Sequence, residues 1–563
     1  MFPPAPDSAK ESEMEKLRSW CSRHPYWTLA LVTVALLLPF CAKPFNMDDP
    51  LFFWVARQIQ AHPANPFGFT VNWGLTAVPM WKATDNPPLA SYYIALAGSV
   101  LGWSEFALHA AFLLPAVAVV LGAHRLARHF CQTPTLAAMA TLLMPVFMVS
   151  SLTIMCDVLM LAFWVWAVVF WIEGLPRDNF WKLCGAGCLI SLAAVTKYFG
   201  FSLVPLLAVH GVMVKRRVRG GVWPAFLLIP LATFAAYQWA SAIFYGAPLW
   251  QAASYSLAFK AQTRSASFLP GFAFTGGCLA VALFLAPLLW RCKTLAGFAA
   301  TAIVFIPLAL LEKSLWQRME GTPLWAAQVQ IVFWAICGVS VLALAFADVF
   351  QRRDAAAWLL ALWVFGTFFF AAFVNWTING RSLLPIAPAA GILIARRIEE
   401  NIAAGRKISR WIPAGLAASA IFALLITRAD FLYALAVRQT AQNVLAQFGG
   451  QKDNLLFQGH WGFQLYMKAA GMKEFDVIHT PLKPGSLLVN ANYNTLVLPP
   501  ETNAVARSEF IYADSPRFLA TMNPPSGAGF YSSHYGPLPF AFGDIAPDRV
   551  IVYFLKTNLP TGN

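Results

Sequence analysis

Apolar runs dominate this chain and bound what it can fold into. They lie near residues 27–42, 105–123, 134–151, 157–173, 181–197, 200–214, 222–244, 271–290, 296–311, 325–350, 356–374, 382–396 and 411–427. A membrane-spanning helix needs about 20 mostly apolar residues. Thirteen runs of this kind predict a polytopic all-α membrane protein with about 13 transmembrane helices. Composition agrees: charged residues make up 12% of the 563-residue chain, about half the share of a soluble domain. Trp (22) and Phe (46) often fall near the ends of the runs, as in interfacial aromatic belts.

The net charge of +14 has its explanation in topology. The clusters EKLRSWCSRH, HRLARHF (124–130), RDNFWK (177–182), KRRVRG (215–220), WRCK (290–293), QRRD (351–354) and RRIEENIAAGRKISR (396–410) alternate with the runs. The spacing puts them all on the side of the N-terminus, which the positive-inside rule makes cytoplasmic. No Arg-and-aromatic stripe of a nucleic-acid binder is present. The polar N-terminus lacks the plan of a secretory signal peptide. The expected organisation is a cytoplasmic tail (1–26), a membrane domain (27–427) with a large external loop (43–104), and an external domain (428–563). Within the loop, 87–102 is apolar but short, and either re-enters the bilayer or lies along it. The stretch 245–270 is also external. The last domain carries short β-rich runs such as LLVNA and DRVIVYFL around one helical stretch, which predicts a small α/β soluble fold. All nine cysteines fall at or before residue 337, so that domain has no disulfide, and Cys184 and Cys188 read as packing residues.

Charged residues at membrane depth are costly and tend to mark function. Asp48 and Asp49 follow the first run in KPFNMDDPLFFWVARQI, Lys82 and Asp85 sit in WKATDNPPLA, Asp157 begins a run, Lys197 ends one, and Arg381 begins one. The topology sends all of them to the external face. Carboxylates can serve as a general base or hold a divalent cation (Mg or Mn) through oxygen, with Asp48 and Asp49 as the candidate ligands. Lys197, Arg381 and Lys82 can hold a phosphate. Each has a structural alternative: a solvated loop for the acidic pair, a helix cap for Asp157, snorkelling for Lys197 and a lipid-headgroup contact for Arg381. His460 in GHWGF reads as a fold or carbohydrate-contact residue, without a second metal ligand at a suitable spacing.

MDDPLFFWVARQI, NPPLASYYIAL, Asp157-Val158-Leu159, LAAVTKYFG and GRSLLPIAP occur in this order. In that order they resemble the motifs of the GT-C-type membrane glycosyltransferases of the dolichyl-phosphate-mannose-protein mannosyltransferase superfamily, across about residues 25–400. The resemblance implies a polyprenyl-phosphate sugar donor, inversion at the anomeric carbon and an external active site. It implies Asp48 or Asp49 as base or cation ligand, Asp157 as a second acid and Lys197 as a donor-phosphate contact, with Arg381 a weaker transfer. The sequence departs from the family in having Asp85 and Asn86 before the Pro-Pro pair, and Ser382 where Tyr is usual. The expected acceptor is a hydroxyl on an envelope lipid, glycan or protein, and the expected setting is a bacterial inner membrane with the site and the C-terminal domain periplasmic. Two rival classes are a polyprenyl-linked glycan flippase or transporter, which would want charges near the bilayer midplane and inverted repeats, and a non-catalytic envelope assembly protein.

Overall fold

The computed structural model describes residues 19–557 apart from residues 22, 85, 216–220, 251–267, 321–322, 492–493, 495 and 514–516. Asp85, much of the KRRVRG cluster and most of the 245–270 loop lie outside the described residues.

Up to residue 448 the described chain is mainly helical, with one short antiparallel hairpin, β1 (Thr70–Asn72) and β2 (Ala77–Pro79), between the second and third helices. It begins with α1 (Pro25–Leu37), α2 (Asp49–Ala61), α3 (Leu89–Leu101) and α4 (Glu105–Ala127). It continues with α5 (Pro134–Leu142), α6 (Pro145–Ser150), α7 (Cys156–Gly174), α8 (Phe180–Thr196) and α9 (Leu203–Lys215). After Leu228–Tyr245 come α10 (Phe268–Cys278), α11 (Leu324–Arg352), α12 (Ala355–Phe369), α13 (Ile386–Ala403) and α14 (Ile412–Phe448).

Among the described residues, eight helices are long and apolar enough to cross a membrane by themselves. The other expected runs are helical but shorter or interrupted, for visible reasons. The run at 134–151 breaks ahead of Pro145, whose ring excludes the preceding residue from helical geometry. The run at 271–290 is cut into three short helices, the last starting with Pro287 in its first turn. α3 has 13 residues, a length of about 20 Å, against about 30 Å of hydrocarbon. It is thus too short for a full crossing by itself, and it packs on α2 and α4.

Small residues set the closest helix crossing. A Cβ on Gly276 of α10 would lie 2.0 Å from the Trp334 carbonyl oxygen, and one on Gly338 of α11 would lie 2.1 Å from that of Phe272. Only glycine at both positions lets the two backbones touch, the device that membrane helices use where no hydrophobic force drives them together.

The expected boundary at 427/428 falls inside a helix. α14 has 37 residues, a length of about 56 Å, and so carries the chain well clear of the bilayer without a linker. Beyond it, β3 (Leu455–Gln458), α15 (Trp461–Ala469), β4 (Lys473–Glu474), β5 (Leu487–Ala491), β6 (Val505–Ala513) and β7 (Asp548–Leu555) form the α/β unit. The sheet order is β4-β3-β5-β7-β6. β3 is parallel to β4 and β5, and β7 is antiparallel to β5 and β6. One side of the sheet buries Leu455, Phe457, Val489 and Val552 against Phe463 and Met467 of α15 and Val444 of α14.

Residues 519–545, expected as part of the external domain, return to the membrane domain instead. Phe530, Leu538 and Phe540 are fully buried in its core. The Gly380 amide donates to the Phe530 carbonyl (2.8 Å), and the Ser533 amide to that of Ile378 (2.7 Å). The sheet unit is fastened as well: Glu105 at the start of α4 accepts from Arg438 of α14 and Tyr466 of α15, both at 2.6 Å.

Candidate active site

The turn before α2 separates the two neighbouring carboxylates. Met47 is held at φ 50°, a left-handed geometry that costs a non-glycine residue about 1–2 kcal/mol. Pro50 then presets the first helical turn. Asp48 is left at the helix start with its carboxylate partly exposed. Asp49 is fully buried. Its Oδ2 accepts from the Asn46 amide (3.0 Å) and its Oδ1 from the Ile154 amide (2.9 Å). It thus staples the loop between α1 and α2 to the turn that leads into α7. Burial lifts its carboxyl to about 7, with Lys43 and the two amides pulling the other way.

Asp157 lies in the first turn of α7, also fully buried. Lys197, where α8 gives way to extended backbone, donates to its Oδ1 at 2.6 Å. Arg381 sits in the short helix Gly380–Leu383, which Asn379 caps through the Ser382 amide. Its Nη2 donates to Asp48 Oδ2 at 2.8 Å, and its Nη1 lies 3.7 Å from Asp157 Oδ2. The result is one chain of alternating charge, Lys197, Asp157, Arg381, Asp48, drawn from four separate parts of the sequence.

Asp48, Lys197 and Arg381 open on a cavity of about 910 Å³. Around them stand polar groups from Asn86, Asn375, Thr377 and Ser382. Apolar walls continue away from the charges: Pro205, Leu206 and Val209 of α9, Leu362, Trp363 and Gly366 of α12, and Trp164 and Phe199. Trp73, Leu496 and Tyr531 close another side. The cavity therefore joins a charged head to a furrow between membrane helices.

Several candidates fall outside this arrangement. Lys82 is exposed and rests its ammonium over Trp81, 5.1 Å from the ring centroid, and does not line the cavity. Asp49 does not reach it either, because both its oxygens are taken by backbone amides. His460 is buried behind Trp73, with ring centroids 5.6 Å apart, and desolvation lowers its pKa to about 4, so it stays neutral.

The expectation of a divalent cation held by Asp48 and Asp49 does not fit these residues. The two carboxylates serve different partners, one a guanidinium and the other two amides. Among the described residues no group of three or more His, Cys, Asp or Glu is placed to hold a metal ion. Ca²⁺ and Mg²⁺ need several oxygen ligands.

Three residues at the site were not singled out in the sequence. Lys43 and Asp430 form a buried ion pair, and the Tyr531 hydroxyl donates to Asp430 Oδ2 at 3.0 Å. Lys43 stands in the same loop as the acidic pair. Asp430 sits three residues past the expected end of its span. Tyr531 lies in the aromatic- and glycine-rich GAGFYSSHYGPLPFAFG (527–543), whose lack of alternation is the available sign that it is not a strand.

Residues 85–239 match the family described as dolichyl-phosphate-mannose-protein mannosyltransferase. No curated protein matches. Among solved structures the chain is similar to ArnT from Cupriavidus metallidurans bound to undecaprenyl phosphate, with 12% identity, 84% of this chain and 93% of that one covered, and a TM-score of 0.46. It is similar to the oligosaccharyltransferase of Archaeoglobus fulgidus in complex with Zn and sulfate, with 12% identity, coverage of 83% and 67%, and a TM-score of 0.47. AglB from the same organism, in complex with an inhibitory peptide and a dolichol-phosphate, has 13% identity, coverage of 84% and 70%, and a TM-score of 0.45. The family match spans residues 85–239, the part of the chain that holds NPPLASYYIAL, Asp157 and Lys197.

Proposed function

We propose that the protein transfers a sugar from a polyprenyl-phosphate donor to an acceptor hydroxyl at the external face of the membrane, with inversion. The observation that carries this reading is the cavity itself, which sets two cations and a carboxylate at the head of an apolar furrow between α9 and α12. A lipid phosphate has that chemistry: an anion for Lys197 and Arg381, and an isoprenoid chain for the furrow. The sugar then lies beside Asp48.

The roles follow from exposure and partners. Asp48 is the partly exposed carboxylate that lines the cavity, and serves as general base. It takes the hydroxyl proton as the oxygen attacks C1 of the sugar. The new C1–O bond forms while the bond from C1 to the phosphate oxygen breaks. Polyprenyl phosphate leaves, its charge held by Lys197 and Arg381, whose donors are already fixed in place. Arg381 holds Asp48 before the donor arrives. A phosphate competing for that guanidinium loosens the pair and releases the base. Asp157 keeps both cations in position, and Asp49 fixes the turn ahead of α7. The sugar, whether hexose or pentose, and the acceptor are set by the polar rim at Asn86, Asn375 and Thr377. Whether the donor is a hexose or a pentose is read by offering a panel of both.

The test is transfer by the purified full-length protein from polyprenyl-phosphate hexoses and pentoses in lipid nanodiscs. Asp48→Asn should lower turnover by about 10²- to 10⁴-fold, while affinity for undecaprenyl phosphate holds or tightens because Arg381 is freed. Turnover unchanged in Asp48→Asn would remove the base from the mechanism.

A further inference from the structure

The segment 519–545 returns from the external domain to line the site, and one buried carboxylate ties it there. Asp430 of α14 accepts from three donors: Lys43, the Tyr531 hydroxyl (3.0 Å) and the Thr521 hydroxyl (3.0 Å). Lys43, Asp430, Tyr531 and Thr521 are all buried. Lys43 belongs to the loop that carries Asp48. Thr521 and Tyr531 belong to the returning segment. Two arms of the site are thus joined at one point on the helix that connects the membrane domain to the sheet.

Tyr531 continues this network to the cavity. Its ring lines the wall, and the Arg381 guanidinium carbon lies 5.7 Å from the ring centroid. The same guanidinium bonds Asp48, and its short helix meets the returning segment at Gly380, where a Cβ would sit 2.5 Å from the Phe530 ring. An aromatic face attracts a guanidinium and limits how far it can swing.

We infer that the C-terminal segment completes the active site, with Tyr531 a positioning residue that holds Arg381 for the donor phosphate and is itself held by the Lys43–Asp430 pair. The inference rests on reading Arg381 as the lipid-phosphate contact. It gives the C-terminal region a part in the site beyond docking: a chain that ends before residue 519 would lack Tyr531 in the cavity lining.

The test is a titration of undecaprenyl phosphate into the detergent-purified full-length protein, followed by intrinsic tryptophan fluorescence, to which Trp73, Trp164, Trp363 and Trp376 of the cavity lining contribute. Tyr531→Phe and Tyr531→Leu both lose the hydroxyl bond to Asp430, but only the phenylalanine keeps a ring beneath Arg381. Tyr531→Leu should bind about 10-fold more weakly than wild type, and Tyr531→Phe within about 3-fold of it. A purely structural role would move both variants together, so equal affinities overturn the inference. The double variant Lys43→Met/Asp430→Leu, which replaces no cavity-lining residue and removes both charges of the pair together, gives a second reading should Tyr531→Leu not fold. It loosens Tyr531 as the phenylalanine variant does and keeps the ring, so it should weaken binding by about 3-fold, and wild-type affinity in it overturns the inference. Arg381→Ala separates the two levels. If it leaves affinity unchanged, the phosphate reading itself falls. If it weakens binding while the two Tyr531 variants coincide, only the positioning role falls.

Discussion

The Lys197–Asp157 pair lets fold and function be pulled apart. Asp157 is fully buried, and its Oδ1 accepts from Lys197 at 2.6 Å, while Arg381 stands farther off at 3.7 Å from the other oxygen. Lys197→Met removes the near cation and leaves the distant one. Stripping a partner from a buried pair costs about 3–5 kcal/mol; Arg381 and the partial exposure of Lys197 reduce this to about 2–3 kcal/mol. Asp157→Asn/Lys197→Met removes both charges and should return to within about 1 kcal/mol of wild type. The proposed lipid-phosphate site is expected to behave otherwise. A charge-assisted hydrogen bond contributes about 1.5–3 kcal/mol, so both the single and the double variant should bind undecaprenyl phosphate about 10- to 100-fold more weakly. Thermal unfolding in detergent reads the first effect and the fluorescence titration reads the second. A single variant as stable as the double would mean the pair is not closed in the folded protein. A double variant with wild-type affinity would mean Lys197 does not touch the phosphate.

Two further outcomes follow from the geometry. Burial raises the Asp49 carboxyl from its ordinary 3.8 to about 7, so between these values the folded protein binds more protons than the unfolded chain. Its contribution is full below the unfolded pKa and declines as pH rises, by as much as about 1.4 kcal/mol per unit, until it levels above about 7. Asp49→Asn should flatten that part of the stability profile; Asp548, lifted by burial to about 6, leaves some slope. Thermal midpoints that fall equally steeply with pH in wild type and Asp49→Asn would argue against a buried, protonating Asp49. Gly338→Val should separate α10 from α11, because even a Cβ there would lie 2.1 Å from the Phe272 carbonyl oxygen. Overpacking of this kind costs about 1–3 kcal/mol or more, and a Gly338→Val protein with an unshifted melting point would refute the close crossing.

What the sequence made legible was whatever depends on local composition. Apolar runs and basic loops gave the helices, and charges at the ends of runs gave Asp48, Asp157, Lys197 and Arg381, because the expense of a charge at the bilayer edge is visible in one dimension. The division of labour between Asp48 and Asp49 was not legible, since it turns on the left-handed Met47 and on an amide at Ile154, 105 residues away. Nor was the share of the C-terminal region in the site. Tyr531 reaches Asp430 across 101 residues and Lys43 reaches Asp430 across 387. No periodicity or motif spacing encodes such pairings.

The same contrast bears on how the site works. The four charges facing each other in Lys197, Asp157, Arg381 and Asp48 are balanced in the structure, two of each sign, and each has a partner. An anionic donor arriving at two cations does not meet an unpaired positive site; it must share Arg381 with Asp48. Coulomb attraction between Arg381 and Asp48 is strong in a part-buried setting, so in the proposed mechanism Asp48 is held until a phosphate binds and then becomes available as the base. This favours donor before acceptor, since an acceptor that binds first finds Asp48 engaged. The Lys43–Asp430–Tyr531 network then matters because it fixes the direction from which Arg381 makes that exchange. A guanidinium free to swing could keep Asp48 and still greet the phosphate, and the release of the base would be lost.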